Sequence, residues 1–271
     1  MKRLGFTIFC LFVLFSLRKV PARHPAGEST GSCNRRILVG LNNYEPFAYR
    51  ENGQLKGLAH DIVLALKDKV GCEYFETELS ARSEAEHINN DRIDMLVLMV
   101  KTTEYEKGGV FIPFYETYRQ LTVAKKVFGK NRKIEDYIND DKVKFAYMIG
   151  NRTVLSKDEE DRLLKSSRLL GTPDPEGAFR LLKEGRVQAV LFSALLSSHY
   201  IDKMKMADKV EKIRDETQKI PVGIYLSKRR VSPVEREMFA RAFEEIKKDG
   251  SFVRILSKYM SLDQALYRLN H

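Results

Sequence analysis

Short, almost uninterrupted apolar runs separated by helix-patterned segments constrain this chain more than any other feature. RIDMLVLMV (Arg92 to Val100) is a continuous apolar run of strand length, RRILVGLN (Arg35 to Asn42) reads as a short apolar strand, KVKFAYMIG (Lys142 to Gly150) as a strand and VQAVLFS (Val187 to Ser193) as a buried strand. A strand that is apolar on both faces is covered on both faces, as in a parallel sheet flanked by helices. Between these runs, LAHDIVLALKDKVG, DPEGAFRLLKEGR and ALLSSHYIDKM carry apolar residues at helical spacing, and SPVEREMFARAFEEIKKDGSFVRILSKYM reads as two helices broken at Asp249 and Gly250. EYFETEL (Glu73 to Leu79) alternates as a strand. Alternating strands and helices predict an α/β fold with parallel sheets. After the basic, turn-like VFGKNRK (Val127 to Lys133) the pattern restarts, so the second half repeats the first in outline.

A chain of 271 residues with 43% hydrophobic residues has material for one large domain or two ordinary ones. Lys2 and Arg3 followed by the apolar stretch Leu4 to Leu17, with Val20 and Ala22 as small residues before a cut, predict an export signal over residues 1–22. Arg18 and Lys19 are unusual after such a stretch and leave an uncleaved anchor open. Cleavage removes Lys2, Arg3, Arg18 and Lys19, taking the net charge from +10 to 10 − 4 = +6. The remaining cations are interspersed with acids, the pattern of solvated helix faces, and no nucleic-acid role is expected. In an oxidising compartment the two mature cysteines, Cys33 and Cys72, are expected to pair; two free buried thiols are the alternative. TGSC lacks the small-residue lipobox of a lipoprotein.

No phosphate loop, nucleophile elbow or paired-histidine zinc helix is present, and His24, His60, His87, His199 and His271 stand singly. No catalytic residue, metal or cofactor is therefore expected. Asp61 and Asp94, at a helix start and a strand start, read as structural.

The ordered segments ILVGLNNYEPFAYRENGQLKGLAHDIVLALKDKVG, RIDMLVLMVKTTEYEKGGVFIPFYETYRQLTVAKK, EGAFRLLKEGRVQAVLFS and PVGIYLSKRRVSPVEREMFARAFEEIKKDGSFVRILSKYM resemble the bacterial extracellular solute-binding proteins of the polar amino-acid type, family 3. The likeness runs from about Arg36 to Met260; Tyr44, Pro46, Phe47, Gly57, Ile93, Asp94, Pro113, Tyr115, Gly185 to Val187, Asp249 and Gly250 carry it. The resemblance implies a two-lobed Venus-flytrap fold, the type 2 periplasmic-binding architecture, with two hinge strands near Gln120 to Lys126 and Pro221 to Lys228. Residues 34–122 plus 224–271 would form lobe one and 123–223 lobe two, with a ligand held in the cleft between them.

The chain departs from that family where the ligand is clamped. The family's T-x-E-R arginine, whose planar fork suits a carboxylate, is Tyr105 after Thr102, Thr103 and Glu104. The aspartate that holds the ammonium group is Ser193. Losing either charge costs a charge-assisted contact of about 1.5–3 kcal/mol, so a standard α-amino acid is not the expected ligand. The matched positions Tyr44, Leu98, Val100, Thr102, Tyr105, Phe192 and Ser193 would make an apolar, aromatic pocket, with Arg152 in GNRT as the obvious cation. An aromatic or small organic acid would suit it. The expected protein is a periplasmic or secreted monomer that binds a small molecule for an ABC permease or a membrane sensor. The alternatives are a degenerate module acting through protein contacts and a cleft enzyme such as a dehydratase.

Overall fold

The structure is a computed structural model that describes residues 33, 35–150 and 155–261. The expected signal over residues 1–22 lies outside them. The chain runs through β1 (Arg36–Asn42), β2 (Tyr49–Glu51), β3 (Gln54–Lys56), α1 (Leu58–Val70), β4 (Glu73–Leu79), α2 (Glu84–Asn89), β5 (Met95–Val100) and β6 (Gly109–Ala124). It continues through α3 (Ile134–Ile138), β7 (Phe145–Met148), α4 (Lys157–Lys165), β8 (Leu169–Thr172), α5 (Pro175–Lys183), β9 (Ala189–Leu191), α6 (Ala194–Lys203), β10 (Val210–Ser227), α7 (Pro233–Lys248) and α8 (Ser251–Leu256). Among the described residues no helix is long and apolar enough to cross a membrane.

The strands β4-β1-β5-β10-β6-β9-β7-β8 form one eight-stranded ladder. β1 pairs in parallel with β4 and β5 in lobe one, and β7 pairs in parallel with β8 and β9 in lobe two, as the apolar runs require. β6 and β10, of 16 and 18 residues, pair antiparallel and join the two halves. β5 pairs with β10 only at Val222–Leu226, and β9 pairs with β6 only at Leu121–Val123. Between those limits Glu116–Gln120 of β6 faces β10 alone, across a register break between Asp215 and Lys219. In a parallel α/β sheet the carboxyl ends of the strands open onto a crevice, and here the ends of β1, β5, β7 and β9 turn toward the middle of the ladder.

Local signals set the helix ends. Asp174, Ser193 and Ser232 accept a backbone N–H from the first turns of α5, α6 and α7, and Pro175 and Pro233 occupy first-turn positions where no N–H donor is needed. Gly57, at φ 123°, lets the start of α1 approach the Phe47 carbonyl so closely that an added Cβ would lie 2.2 Å from it. Leu58 and Ala59 then donate to the carbonyls of Pro46 and Phe47, which fixes the loop after β1. Cys33 and Cys72 form a disulfide, tying the chain before β1 to the α1–β4 junction.

Asp94 is fully buried and structural, as its position suggests. It accepts from the Leu38 amide (2.7 Å), Arg35 Nη1 (3.0 Å) and Arg230 Nε (3.1 Å), and so binds β1, β5 and the turn after β10 at the outer base of lobe one.

Candidate functional site

Where the strand ends meet, a cavity lies between the lobes, with about 70 Å³ open to the centres of water molecules; one buried water needs roughly 10–15 Å³ on that measure. Lobe one contributes Asn42, Tyr44 and Phe47 from β1 and its loop, Glu84 from the start of α2, Leu98, Met99 and Val100 from β5, and Tyr105. The joining strands add Tyr115, Thr117, Tyr118, Ile220 and Val222; lobe two adds Met148, Gly150, Ser193, Leu195 and Leu196.

A β-bulge exposes three successive β5 residues to this cavity. Met99 pairs with Gly223 and Val97 with Ile224, so Leu98 is the extra residue, held at φ 60°. A bulge bends its strand and re-aims side chains, and a leucine in the left-handed region costs about 1–2 kcal/mol that the surrounding sheet must overcome.

The polar part of the wall is built around Glu84, 2% exposed. Tyr105, carried on a single 3-10 turn over Tyr105–Lys107, donates its hydroxyl to Glu84 Oε2 at 2.8 Å, and Asn42 Nδ2 donates to Glu84 Oε1. Burial first, and then the Glu84 carboxylate, push the Tyr44 hydroxyl well above its ordinary value, so it stays a neutral phenol. Tyr44 as a whole is half-buried. Asn42 Oδ1 and Thr117 Oγ1 are buried with no hydrogen-bond partner among the described residues. Gln120 and Thr122 on β6 and Ser197 on α6 also keep buried polar atoms without such partners, but they do not line the cavity. Glu84 is the one carboxylate among the described lining residues, and no Lys, Arg or His is among them.

Tyr44, Leu98, Val100, Tyr105 and Ser193 therefore come together on the cavity wall. Ser193 uses its hydroxyl to accept from the Leu196 amide as the cap of α6. The other expected positions are placed elsewhere or lie outside the described residues. Thr102 does not line the cavity: its amide and carbonyl are bridged by the Tyr225 hydroxyl, and its Oγ1 accepts from the Tyr105 amide. Phe192 follows β9 inward and is fully buried, with its ring 5.6 Å from that of Phe179 in the core of lobe two. Arg152 lies outside the described residues.

Asn42, Glu84 and Thr117 were not singled out from the sequence. Asn42 could have been found, because it is the last residue of β1 and such strand ends face the crevice. Glu84 and Thr117 carry no comparable local mark. Among the described residues no cluster of His, Cys, Asp or Glu could hold a metal ion.

Comparison with known proteins agrees with this architecture. A sequence model described as bacterial extracellular solute-binding proteins, family 3, matches residues 37–262. The L-cystine-binding protein TcyA of Bacillus subtilis (strain 168) is 24% identical over 233 residues, 84% of this chain and 82% of that protein. Among solved structures, the ancestral amino acid-binding protein AncCDT-1, a precursor of cyclohexadienyl dehydratase, superposes with a TM-score of 0.68 at 21% identity, covering 83% of this chain and 94% of the other. A histidine kinase sensor domain with similarity to periplasmic binding proteins gives 0.69 at 16% identity, covering 84% and 96%. These structural likenesses concern the fold.

Proposed function

The chain belongs to the bacterial extracellular solute-binding proteins, family 3, and from that premise we propose that it is an exported protein that closes its lobes around a small, mainly apolar or aromatic molecule. The observation that carries this reading is the cavity itself. It is walled from both lobes and is aromatic and aliphatic over most of its lining, and two of its lining residues, Asn42 and Thr117, each hold a buried oxygen, Oδ1 and Oγ1, that has no partner among the described residues. Buried polar atoms are normally hydrogen-bonded, so a ligand bearing polar groups at these points would repay their desolvation.

The same wall argues against a standard α-amino acid. Tyr105 stands where the family places its carboxylate-binding arginine, and its hydroxyl is engaged by Glu84. Ser193 stands in place of the ammonium-binding aspartate and caps α6. An organic acid would need a cation at the wall, and the sequence offers Arg152 for that role. Ligand binding would draw an open–closed equilibrium toward the closed state in proportion to its preference for that state. We place the hinge, expected near Gln120 to Lys126 and Pro221 to Lys228, at the adjoining stretch where β6 and β10 pair only with each other. Delivery to an ABC permease and presentation to a membrane sensor are both served by such closure.

A dye-based thermal-shift panel on the mature chain tests the reading, comparing L-amino acids, aromatic carboxylates, aromatic amines and neutral aromatics. A rise in melting temperature with a non-amino-acid aromatic, lost in Thr117→Val or Tyr44→Ala, is the expected result. A response confined to α-amino acids would overturn the pocket assignment, and a flat panel would turn attention to protein contacts. One observation favours a second reading, a cleft enzyme: Glu84 is a buried carboxylate on the cavity wall. Turnover of a carbocyclic acid, abolished by Glu84→Gln, would decide for it.

A further inference from the structure

Beside the cavity, a charged contact made wholly by protein groups joins the lobes. The face of α6 that lines the cavity at Leu196 continues one and two turns on through His199, Tyr200 and Lys203, because residues three or four apart lie over one another on a helix. Opposite it is Glu45, next to the cavity-lining Tyr44 on the loop after β1. Lys203 Nζ lies 2.8 Å from Glu45 Oε2, His199 Nε2 lies 3.2 Å from the same oxygen, and the Tyr200 hydroxyl donates to the Glu45 carbonyl at 3.1 Å. Glu176 of α5 holds Lys203 from behind at 3.0 Å, and the Lys203 ammonium also sits 5.7 Å from the centre of the Tyr200 ring. One backbone carbonyl and one carboxylate of lobe one are thus gripped by three side chains of a single lobe-two helix.

We infer that Glu45 and the α6 residues His199, Tyr200 and Lys203 form a clasp that holds the lobes together before any ligand enters, and so sets the affinity of the cavity. The inference rests on the proposed open–closed cycle and adds to it a term that belongs to the protein alone. These groups meet only when the lobes are shut, so their attraction counts entirely toward the closed state, and a larger closed population raises the apparent affinity for any ligand that prefers it. The Glu45, His199 and Lys203 side chains are each between a quarter and two-fifths exposed, so salt screens the contact and its strength is that of a partly solvated ion pair. Glu176 is a positioning residue here, because its contact lies within lobe two and survives opening.

Small-angle scattering from the ligand-free protein tests the clasp without knowledge of the ligand. Glu45→Gln and Lys203→Gln are each expected to shift the closed-to-open ratio about two- to fivefold toward open, seen as a larger radius of gyration. The double variant should open little further than either single one, since both remove the same contact. Added sodium chloride should open the wild type and leave the double variant unmoved. Tyr200→Phe, which loses only the hydroxyl, should open the protein less. Unchanged scattering from variants that keep their melting temperature, or opening by salt that the double variant shares, would overturn the clasp. The two proposals fail separately: a ligand found by thermal shift with no change in scattering removes the clasp and leaves the binding reading, and opened variants with a flat panel do the reverse.

Discussion

The outer base of lobe one and the cavity wall of the same lobe each bury a carboxylate, and they treat it differently. At the base, Asp94 receives a backbone amide and two arginines, Glu235 holds the far side of Arg35, and the Cys33–Cys72 disulfide closes the chain nearby. The donors and acceptors there are paired with one another, and they hold β1, β5 and α7 together. At the cavity, Glu84 gathers Tyr105 and Asn42, yet the buried Oδ1 of Asn42 and the hydroxyl of Thr117 have no partner among the described residues. Saturated polar contacts mark a joint. Incomplete ones beside open space mark a surface shaped for something else.

The largest expected effect breaks the base. Replacing Cys33 and Cys72 together by Ser frees a loop with a sequence separation of 39 residues, for which chain entropy predicts a loss of about 3–4 kcal/mol in unfolding free energy; denaturant titration under non-reducing conditions checks it. Asp94→Ala should follow at about 2–3 kcal/mol, less than for a wholly buried pair, because Arg35 and Arg230 are about a third exposed and can turn to water. Neither change should remove a thermal-shift response to ligand if enough folded protein remains.

A pair of Thr→Val substitutions sharpens the contrast. Thr172 is buried with its hydroxyl at 3.0 Å from the Tyr147 carbonyl and 2.8 Å from that of Asp174. Its replacement should cost about 1–2 kcal/mol, whereas Thr117→Val, which removes a buried hydroxyl without such a partner, should stay within about 0.5 kcal/mol of the wild type. Equal costs would mean that Thr117 is bonded in solution as firmly as Thr172.

The smallest expected effect is one of pH. Burial alone would raise the Glu45 carboxyl, but hydrogen bonds from Lys203 and His199 outweigh it and hold Glu45 below its ordinary value of 4.5. A depressed folded-state value means that the contribution is complete above the ordinary value and is lost as pH falls through the lower one. Scattering at falling pH should therefore show the wild type opening below pH 4.5 while Glu45→Gln stays as it was. Identical profiles for the two proteins would separate any acid opening from Glu45.

Much of this could be read from the chain. The apolar runs at Ile37–Leu41 and Met95–Val100 became parallel strands because a segment with no polar face has to be covered on both sides. Tyr44, Leu98, Val100 and Ser193 could be placed near a cleft because they match the cleft positions of the family the chain resembles. Phe192 and Thr102 could not be placed correctly, since each lies one or two residues beyond a strand whose exact end decides which way the side chain turns. The bulge at Leu98 was hidden for a related reason: it exists only as a mismatch between two strands more than a hundred residues apart.

The sequence by itself determined the α/β class and the cysteines available for a bridge, because these follow from residue type and from local periodicity, whereas the loss of both zwitterion-binding charges is what its resemblance to the family implies. Only the tertiary structure decided that Glu84, Asn42 and Tyr105 share one wall, and that Glu45 meets Lys203 from 158 positions away along the chain. Those pairings depend on how the long strands β6 and β10 set one lobe against the other, and hydrogen bonds and charges act through distances that the order of residues does not contain.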